Sequence, residues 1–506
     1  MLAPPRWYVA ARVLIAVAAG CAVGASFPPY DQVWLMPIGI AALIVLVHGR
    51  RGRAGFGYGW AFGIGFILVL MPWLRVIGSD AWVALSVIEG FFYALMGLSW
   101  ALVTAHRWWP PAVAAGWVGA EFLRGTVPFG GLPWGRLAFG LVDTPVDRYG
   151  RLGGTALVSF VAVLVVALVI DVALRRDRTW QGGAQVAVAV GLVLVSFALP
   201  VGLAAPQGQV TVAAVQGNVP GDGLNAFAER RAVLDNHATA TRNFAAKVDA
   251  GQAARPDFVI WPENSTDIDP FEDRSAYAEI DGAVRAMGVP VLVGAVLNGP
   301  DADQVQNVGI VWSPRTGPGE RYVKQHLVPF GEYIPFRAIL TRLISRLKEI
   351  PKDFAPGDRV GDLSIDGATI GDLMCFEVSY DGLVRGIVQG GAQLVVVQTN
   401  NATYAGTGQL DQQFAISRYR GIETGRQVVV ASTDGISGFF AADGSVLASS
   451  AVHTQVVLEH QVTLATGITW GVRLGVWVDL LLSLVALALT LVAALGERLR
   501  PGRMAG

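Results

Sequence analysis

Apolar and polar positions divide the chain into a long apolar part, a mixed segment and one more apolar run. Runs able to cross a bilayer, which takes about 20 residues, lie at roughly 8–27, 33–48, 55–77, 82–105, 109–125, 155–174, 184–204 and 472–495. The second is short, and the fifth is interrupted by prolines and charges. The pattern predicts a membrane domain over residues 1–205 with about seven transmembrane helices, and a C-terminal transmembrane helix with a tail over residues 471–506.

Residues 206–470 carry a different pattern. Seven β-branched runs bounded by Gly, Pro, Asn or Asp are typical of strands: QVTVAAVQGN (209–218), DFVIWPEN (257–264), VPVLVGAVLNG (289–299), NVGIVWSP (307–314), TIGDLMCFE (369–377), AQLVVVQTNN (392–401) and QVVVAST (427–433). Polar stretches of helical period lie between several of them, at 227–248, 277–287 and 410–425. Apolar strands alternating with amphipathic helices predict an α/β domain whose sheet is covered on both faces.

Composition and charge agree with a membrane protein. The chain is 53% hydrophobic and 15% charged, which is too apolar for one soluble globule, and its net charge of -1 argues against a large nucleic-acid-binding face. Arginine clusters occur at 48–53, 175–178 and 497–503, and all fall on one side if seven spans precede the mixed segment and one follows it. Because short cytoplasmic loops collect Lys and Arg, both termini are predicted to be cytoplasmic and residues 206–470 extracytoplasmic.

The two cysteines, Cys21 and Cys375, lie in an apolar run and in the mixed segment, so neither an internal disulfide nor a cysteine metal cluster is predicted. AAGC at 18–21 resembles a lipoprotein cleavage box loosely, which leaves a cleaved leader as an alternative for the first 27 residues. No Leu or Val stands three residues before Cys21, and a retained first helix is the simpler interpretation.

Three polar side chains stand just past predicted strands: Glu263, Lys324 and Cys375. Each has an ordinary structural interpretation. Glu263 fits a solvated loop residue or a helix cap, Lys324 a surface charge, and Cys375 a packed small hydrophobe. Together they form a complete set for acyl transfer. A glutamate can take the thiol proton, a lysine can stabilise the oxyanion of a tetrahedral intermediate, and the thiol is the nucleophile.

The sequence around these residues resembles a known family. WPEN (261–264), YVKQHLVPFGEYIP (322–335) and CFE (375–377) resemble the catalytic segments of the nitrilase, or carbon-nitrogen hydrolase, superfamily. Combined with the predicted spans, and with EFLRG and PFGGLPWGRLAF in the apolar half, they resemble the bacterial apolipoprotein N-acyltransferase family.

That resemblance implies a polytopic α-helical membrane domain plus an extracytoplasmic nitrilase-like α/β domain, an α-β-β-α sandwich. It implies transfer of a fatty acyl chain from a membrane phospholipid to the N-terminal α-amino group of diacylglyceryl-cysteine in an apolipoprotein. The expected partners are therefore a phospholipid acyl donor, a diacylglyceryl-modified apolipoprotein and the bilayer of a bacterial plasma membrane. No cofactor, no metal and no nucleic acid are implied.

Matching the family's motifs to this sequence assigns the general base to Glu263, oxyanion stabilisation to Lys324 and the nucleophile to Cys375. Glu332, in PFGEYIP, matches a further acidic residue of the site, and Glu377 matches the acid two residues after the nucleophile. We expect both to orient Lys324 and the nucleophile turn, since additional ionised bases beside a thiolate oppose its formation.

The sequence departs from the family pattern at three places. Phe376 replaces a frequent Tyr, GDGLNAF (221–227) lacks a Trp, and NNATYAG (400–406) replaces NDAWF-like text. Asn401 and Tyr404 in the last segment are candidate substrate contacts.

A basic amphipathic pattern over 335–353 predicts a helix that lies in the membrane interface and covers the acyl entrance. Its candidate lipid contacts are Phe336, Leu340 and Leu343, while a helix packed on its own domain fits the same pattern.

Two other functions are consistent with parts of the same sequence. A channel or transporter requires ionisable groups within the spans, and these are sparse, with Glu121, Arg124 and Asp171 the clearest. A membrane-anchored amidase or nitrilase would hydrolyse a small amide with the same Glu-Lys-Cys triad. A hydrolase of that kind needs no membrane-facing apolar entrance, so the entrance distinguishes the two enzymes.

Overall fold

The computed structural model describes residues 5–174, 180–220, 230–344, 347–348 and 352–498. The arginine cluster at 175–178, residues 499–503 of the cluster at 497–503, and GDGLNAF at 221–227 lie outside these residues. The chain forms two compact units. The helical unit comprises residues 1–200 and 473–506, and the α/β unit comprises residues 201–472.

The helical unit is built mainly from apolar helices. These are α1 (Arg6–Gly24), α2 (Leu35–Val47), α3 (Gly52–Leu70), α4 (Ser79–Val103), α5 (Trp109–Arg124), α6 (Gly150–Leu174), α7 (Trp180–Ala198) and α13 (Trp470–Arg498). Among the described residues, 6 helices are long and apolar enough to cross a membrane, and α2 and α5 do not reach that length. With 13 residues, α2 rises only about 20 Å, against a hydrocarbon core of about 30 Å. The two runs that were weakest in sequence are thus the two short helices.

Glycines bring α3 and α4 into backbone contact. A methyl group added to Gly59 would stand 2.2 Å from the carbonyl oxygen of Tyr93, and one added to Gly55 would stand 2.3 Å from that of Gly97. Lipid provides no hydrophobic drive for helices to associate, so close packing of small residues supplies much of the attraction. The glycine-rich sequence of α3 is therefore the cause of this tight pairing.

The α/β unit contains two sheets. Its strands are β1 (Pro206–Gln216), β2 (Phe258–Ile260), β3 (Val291–Asn298), β4 (Gln304–Ser313), β5 (Gly317–Val323), β6 (Asp353–Phe354), β7 (Asp362–Ile365), β8 (Ala368–Met374), β9 (Leu394–Thr399), β10 (Val428–Ser432), β11 (Gly438–Phe440), β12 (Val446–Ser449) and β13 (Val456–Ala465). The first sheet has the order β13-β1-β2-β3-β4-β5, with β6 paired to β4, and the second has the order β12-β11-β10-β9-β8-β7. The strands β1, β2 and β3 are parallel, as are β8, β9 and β10.

The two sheets pack face to face, with helices outside them. The helices are α8 (Arg230–Asp249), α9 (Arg274–Met287), α10 (Arg337–Leu343), α11 (Asp381–Gln389) and α12 (Gln409–Thr424). One buried cluster joins Ile260 of the first sheet to Met374 of the second, and another joins α8 and α9 to the outer face of the first sheet. A methyl group on Gly371 of β8 would stand 2.7 Å from Ile387 of α11, so α11 covers the second sheet. The predicted α-β-β-α sandwich is confirmed.

The predicted helix over 335–353 is wrong in its length. Helix α10 ends at Leu343, Ile344 is extended, and Asp353 begins β6. The Asp353 carboxylate accepts hydrogen bonds from the backbone of Ile334 at 3.0 Å and from Arg337 Nε at 2.9 Å. These hydrogen bonds place Asp353, at the end of the segment, beside Ile334 and Arg337 at its start. A continuous helix over 335–353 would hold its two ends apart.

Candidate active site

Glu263 lies three residues past β2 and is 3% exposed. Its Oε1 accepts hydrogen bonds from Asn307 Nδ2 at 2.7 Å and from Lys324 Nζ at 2.9 Å, and its Oε2 accepts one from the backbone of Asn400 at 2.9 Å. Asn307 lies on β4, Lys324 follows β5, and Asn400 follows β9. This one carboxylate therefore contacts residues of both sheets.

Lys324 is a buried cation held between two acids. Its Nζ donates to Glu263 Oε1 at 2.9 Å and to Glu332 Oε1 at 2.8 Å, and the residue is 1% exposed. Burial by itself lowers the pKa of the ammonium group, but the charges of Glu263 and Glu332 outweigh burial and hold that pKa well above its ordinary value. Lys324 stays charged, and one of its three N–H bonds is left for a substrate oxygen.

Cys375 begins a tight turn, Cys375–Ser379, directly after β8. Its φ of 52° is in the left-handed region, which a residue with a side chain rarely adopts and which often marks a functional turn. Burial, followed by the negative charge of Glu263, raises the pKa of the thiol to about 12, against the opposing charge of Lys324. The predicted nucleophile is therefore a neutral thiol close to the predicted base and cation.

Glu377 lies within the Cys375–Ser379 turn and stabilises it through its carboxylate. Its carboxylate accepts hydrogen bonds from Tyr322 Oη at 2.9 Å and from the backbone of Gln325, His326 and Met374 at 2.7, 3.0 and 2.8 Å. Burial raises its pKa to about 6, against the charge of Lys324 and these backbone donors. Glu377 thus connects the segment after Lys324 to the start of the Cys375 turn.

A cluster of side-chain amides lies beside the thiol. Gln413 Oε1 accepts hydrogen bonds from Asn401 Nδ2 and Gln409 Nε2, each at 2.9 Å, and the Cys375 Sγ lies 3.9 Å from it. Asn401, predicted as a substrate contact, is 3% exposed and directs its amide into this cluster. Tyr404 is half-buried, and burial, followed by the charges of Cys375 and Glu332, raises the pKa of its phenol.

Arg420 supports the far end of the same turn. Its guanidinium donates to the backbone oxygens of Val378 at 2.7 Å and Ser379 at 2.9 Å, and it forms ion pairs with Asp381 at 2.8 Å and with Glu423. These buried contacts come from α12 and α11, so both helices of the outer layer fix the nucleophile turn.

The predicted lipid contacts lie on a short exposed segment. Phe336 is 69% exposed and Leu340 is half-buried, whereas the side chain of Leu343 lies outside the described part of the structure. Ile339, between them, is 61% exposed, and Phe330 in the preceding loop is 43% exposed. This apolar segment begins four residues after Glu332. Glu332 Oε2 accepts a hydrogen bond from the backbone of Val328 at 2.8 Å, in the loop before the segment.

Sequence reasoning missed Asn307, Gln413 and Arg420. Asn307 had a signal, since it opens an apolar strand as the only amide of NVGIVWSP. Gln413 and Arg420 had none, because polar residues on an amphipathic helix are ordinarily taken for a solvated face. The described residues include no group of three or more His, Cys, Asp or Glu placed to hold a metal ion.

Comparisons with known proteins cover both units. Residues 19–168 match the family model of the apolipoprotein N-acyltransferase N-terminal domain, and residues 211–471 match that of carbon-nitrogen hydrolase. An apolipoprotein N-acyltransferase of Mycolicibacterium smegmatis is 38% identical over 95% of this chain and 84% of its own length. One from Azotobacter vinelandii is 27% identical over 97% of this chain and 96% of its own. A solved amidase of the nitrilase superfamily from Nesterenkonia is 20% identical over 51% of this chain and 92% of its own, with a TM-score of 0.37. From the two family matches and the relative at 38% identity, the chain belongs to the apolipoprotein N-acyltransferase family.

Proposed function

We propose that this protein transfers a fatty acyl chain from a membrane phospholipid to the N-terminal α-amino group of diacylglyceryl-cysteine in an apolipoprotein. The observation that carries the proposal is the Lys324 ammonium, bound to Glu263 and Glu332 beside the Cys375 thiol. This arrangement suits acyl transfer, and the membership of the chain in its family favours an amine over water as the acceptor.

In the first half-reaction, Cys375 Sγ attacks the carbonyl carbon of the phospholipid ester. Because the resting thiol is neutral, its proton passes to Glu263 as the S–C bond forms. The free N–H of Lys324 donates to the oxyanion. When the ester C–O bond breaks, Glu263 returns the proton to the leaving alkoxide, and a lysophospholipid departs.

In the second half-reaction, the acceptor amine attacks the thioester carbon. A C–N bond forms, the C–S bond breaks, and Glu263 takes a proton from the amine and passes it to the departing sulfur. A covalent intermediate lets one site serve two bulky lipid substrates in turn. Asn307 and Asn400 hold Glu263 in place throughout, since each donates to a different oxygen of its carboxylate.

The activity is tested on a lipoprotein in cells. Mass spectrometry of its N-terminal peptide is expected to find one amide-linked acyl chain in cells that carry this gene and none after the gene is deleted. A Cys375→Ala copy should fail to restore that chain. An unmodified amine in both strains, together with hydrolysis of a small amide by the purified protein, would support the amidase instead.

We also propose that the α/β unit is extracytoplasmic. The arginine clusters favour that side, and an acceptor exported before modification would be found there. In a background lacking Cys21 and Cys375, an impermeant thiol reagent is expected to label Ala250→Cys in intact cells and to label Arg50→Cys only after lysis. Both positions are exposed in the folded protein, so a difference in labelling reports the side of the membrane and not burial of the thiol. Labelling of the Arg50→Cys variant alone in intact cells would reverse the topology.

The exposed apolar segment is proposed to guide the lipid. Replacing Phe336 and Ile339 by Asp is expected to raise the KM for phospholipid at least about tenfold, with little change for a short soluble ester. The control is Val446→Asp, because Val446 is 44% exposed on β12, at the edge of the second sheet. Equal losses for both substrates would indicate that the segment supports folding and does not contact lipid.

A further inference from the structure

Asp372 is a carboxyl group in the core of the sandwich. It lies on β8, three residues before Cys375, and is 0% exposed. Ile370 and Met374, two positions away on either side, face the cluster between the sheets, so Asp372 faces that core as well. Neither of its carboxyl oxygens has a hydrogen-bond partner among the described residues, and none of the described cations forms an ion pair with it.

A second oxygen without a partner lies next to Asp372. A methyl group added to Gly309 of β4 would stand 2.3 Å from Asp372 Oδ2 and 2.8 Å from Gln398 Oε1, so the two oxygens approach the same point. Gln398 Nε2 donates to the backbone oxygen of Trp261, which fixes the amide with Oε1 turned toward the aspartate. Gln398 Oε1 likewise has no described partner.

Among the described residues, the charged and titratable groups that face Asp372 are two acids and a phenol. Glu377 lies on the following turn, Glu263 follows β2, and the O–H of Tyr322 on β5 already donates a hydrogen bond to Glu377. Burial of an unpaired carboxylate costs several kcal/mol, and two neighbouring carboxylates add to that cost. A proton on Asp372 removes the charge and turns two facing acceptors into a donor and an acceptor.

We propose that Asp372 is protonated in the working enzyme and donates its O–H to Gln398 Oε1, as a positioning residue for Glu263. The connection runs from Asp372 through Gln398 to the backbone oxygen of Trp261, two residues before Glu263. The part of this proposal that concerns Glu263 rests on the proposed function, whereas the protonation of Asp372 stands without it. Burial, followed by the charges of Glu377 and Glu263, also raises the pKa of Asp372 well above its ordinary value.

Protonation of Asp372 makes the stability of the folded protein decrease as the pH rises. A carboxyl whose pKa is raised in the folded state stabilises the fold fully below its unfolded pKa of about 4, and that stabilisation is lost as the pH rises toward the folded pKa. Asparagine keeps the shape and a donor but does not titrate. Between about pH 5 and about pH 9, the unfolding temperature of wild-type protein should therefore fall relative to that of Asp372→Asn.

The test uses the full-length protein in an ester-free detergent. The infrared difference between wild type and Asp372→Asn at neutral pH should contain the C=O band of a protonated carboxyl, and the control Asp366→Asn, at an exposed turn between β7 and β8, should show none. Asp372→Asn should keep at least about half of the acyl-transfer activity and should keep it to higher pH than wild type. Asp372→Leu, which has no donor for Gln398, should lower kcat with little effect on KM.

Each outcome decides the matter. Absence of the protonated band, or parallel stability curves for wild type and Asp372→Asn, would overturn the proposal even if acyl transfer is normal. A folded but inactive Asp372→Asn would also overturn it, because the ionised form would then be the required one. If that variant does not fold, wild-type protein with isotope-labelled aspartate carboxyls must show the band at about pH 8, where exposed aspartates are ionised. Failure of the acyl transfer itself, with the band present, would remove the proposed function and leave the protonation standing.

Discussion

Purified wild-type protein incubated with a phospholipid labelled in its acyl chain, without any acceptor, is expected to retain the label on Cys375. The label should be released by hydroxylamine, as a thioester is, and by a diacylglyceryl-cysteine peptide that becomes N-acylated. In the proposed mechanism, Cys375, Glu263 and Lys324 complete the first half-reaction before an amine arrives. Tryptic peptides analysed by mass spectrometry would locate the acyl group.

Cys375→Ala should take up no label, and its overall activity should fall by more than about a thousandfold, as expected when a nucleophile is removed. Cys21→Ala is the matched control, because Cys21 is the other cysteine of the chain and lies in α1 of the helical unit. It should acylate like wild type. If label never accumulates without acceptor while turnover proceeds with it, direct transfer in a ternary complex replaces the covalent route.

Lys324→Met is expected to lower acyl transfer by at least about a hundredfold, the usual effect of losing an oxyanion donor. Removing the ammonium also leaves Glu263 and Glu332 facing each other without a cation. The raised pKa of Lys324 means that its stabilising charge is fully present below an unfolded pKa of about 10.4 and is lost only above it. The loss of activity should therefore be the same at every pH near neutrality.

A charge-balanced variant separates catalysis from folding. Lys324→Met combined with Glu332→Gln removes one acid along with the cation, so it should recover much of the unfolding temperature that Lys324→Met loses. Its activity should remain low, because no oxyanion donor has been restored. Lys247→Met, at the exposed end of α8, is the control for loss of a lysine as such. Recovery of activity in the double variant would show that Lys324 serves only to neutralise the acids.

Much of the sandwich was predictable because its buried strands are nearly continuous apolar runs. The strands before Glu263 and Cys375 show this well, since three buried residues of β2 and the β-branched start of β8 are readable without a structure. The helix over 335–353 was not predictable in length, because periodicity cannot register that Asp353 binds Ile334 and Arg337. Helix α10 ends at Leu343, although the local pattern of apolar and basic residues continues beyond it.

The candidate site was likewise predictable only in part. Glu263, Lys324 and Cys375 follow strands and could be found by position, but the partners that hold them come from elsewhere in the chain. Asn307 reaches Glu263 from 44 residues away, and Gln413 lies 38 residues from Cys375. Such contacts depend on how sheets and helices stack, which a linear pattern does not contain.

The neutral state of the Cys375 thiol bears on inhibitor design. Because burial and the charge of Glu263 raise the pKa of this thiol to about 12, the thiol and not the thiolate is the main form at pH 7. General alkylating reagents, which scavenge thiolates, should therefore spare this cysteine and modify more acidic thiols first. An electrophile with a carbonyl oxygen that accepts the free N–H of Lys324 would instead recruit Glu263 as the base and generate the sulfur nucleophile within the complex. Selectivity among cellular thiols would then come from an acyl-like warhead joined to a lipid-like tail.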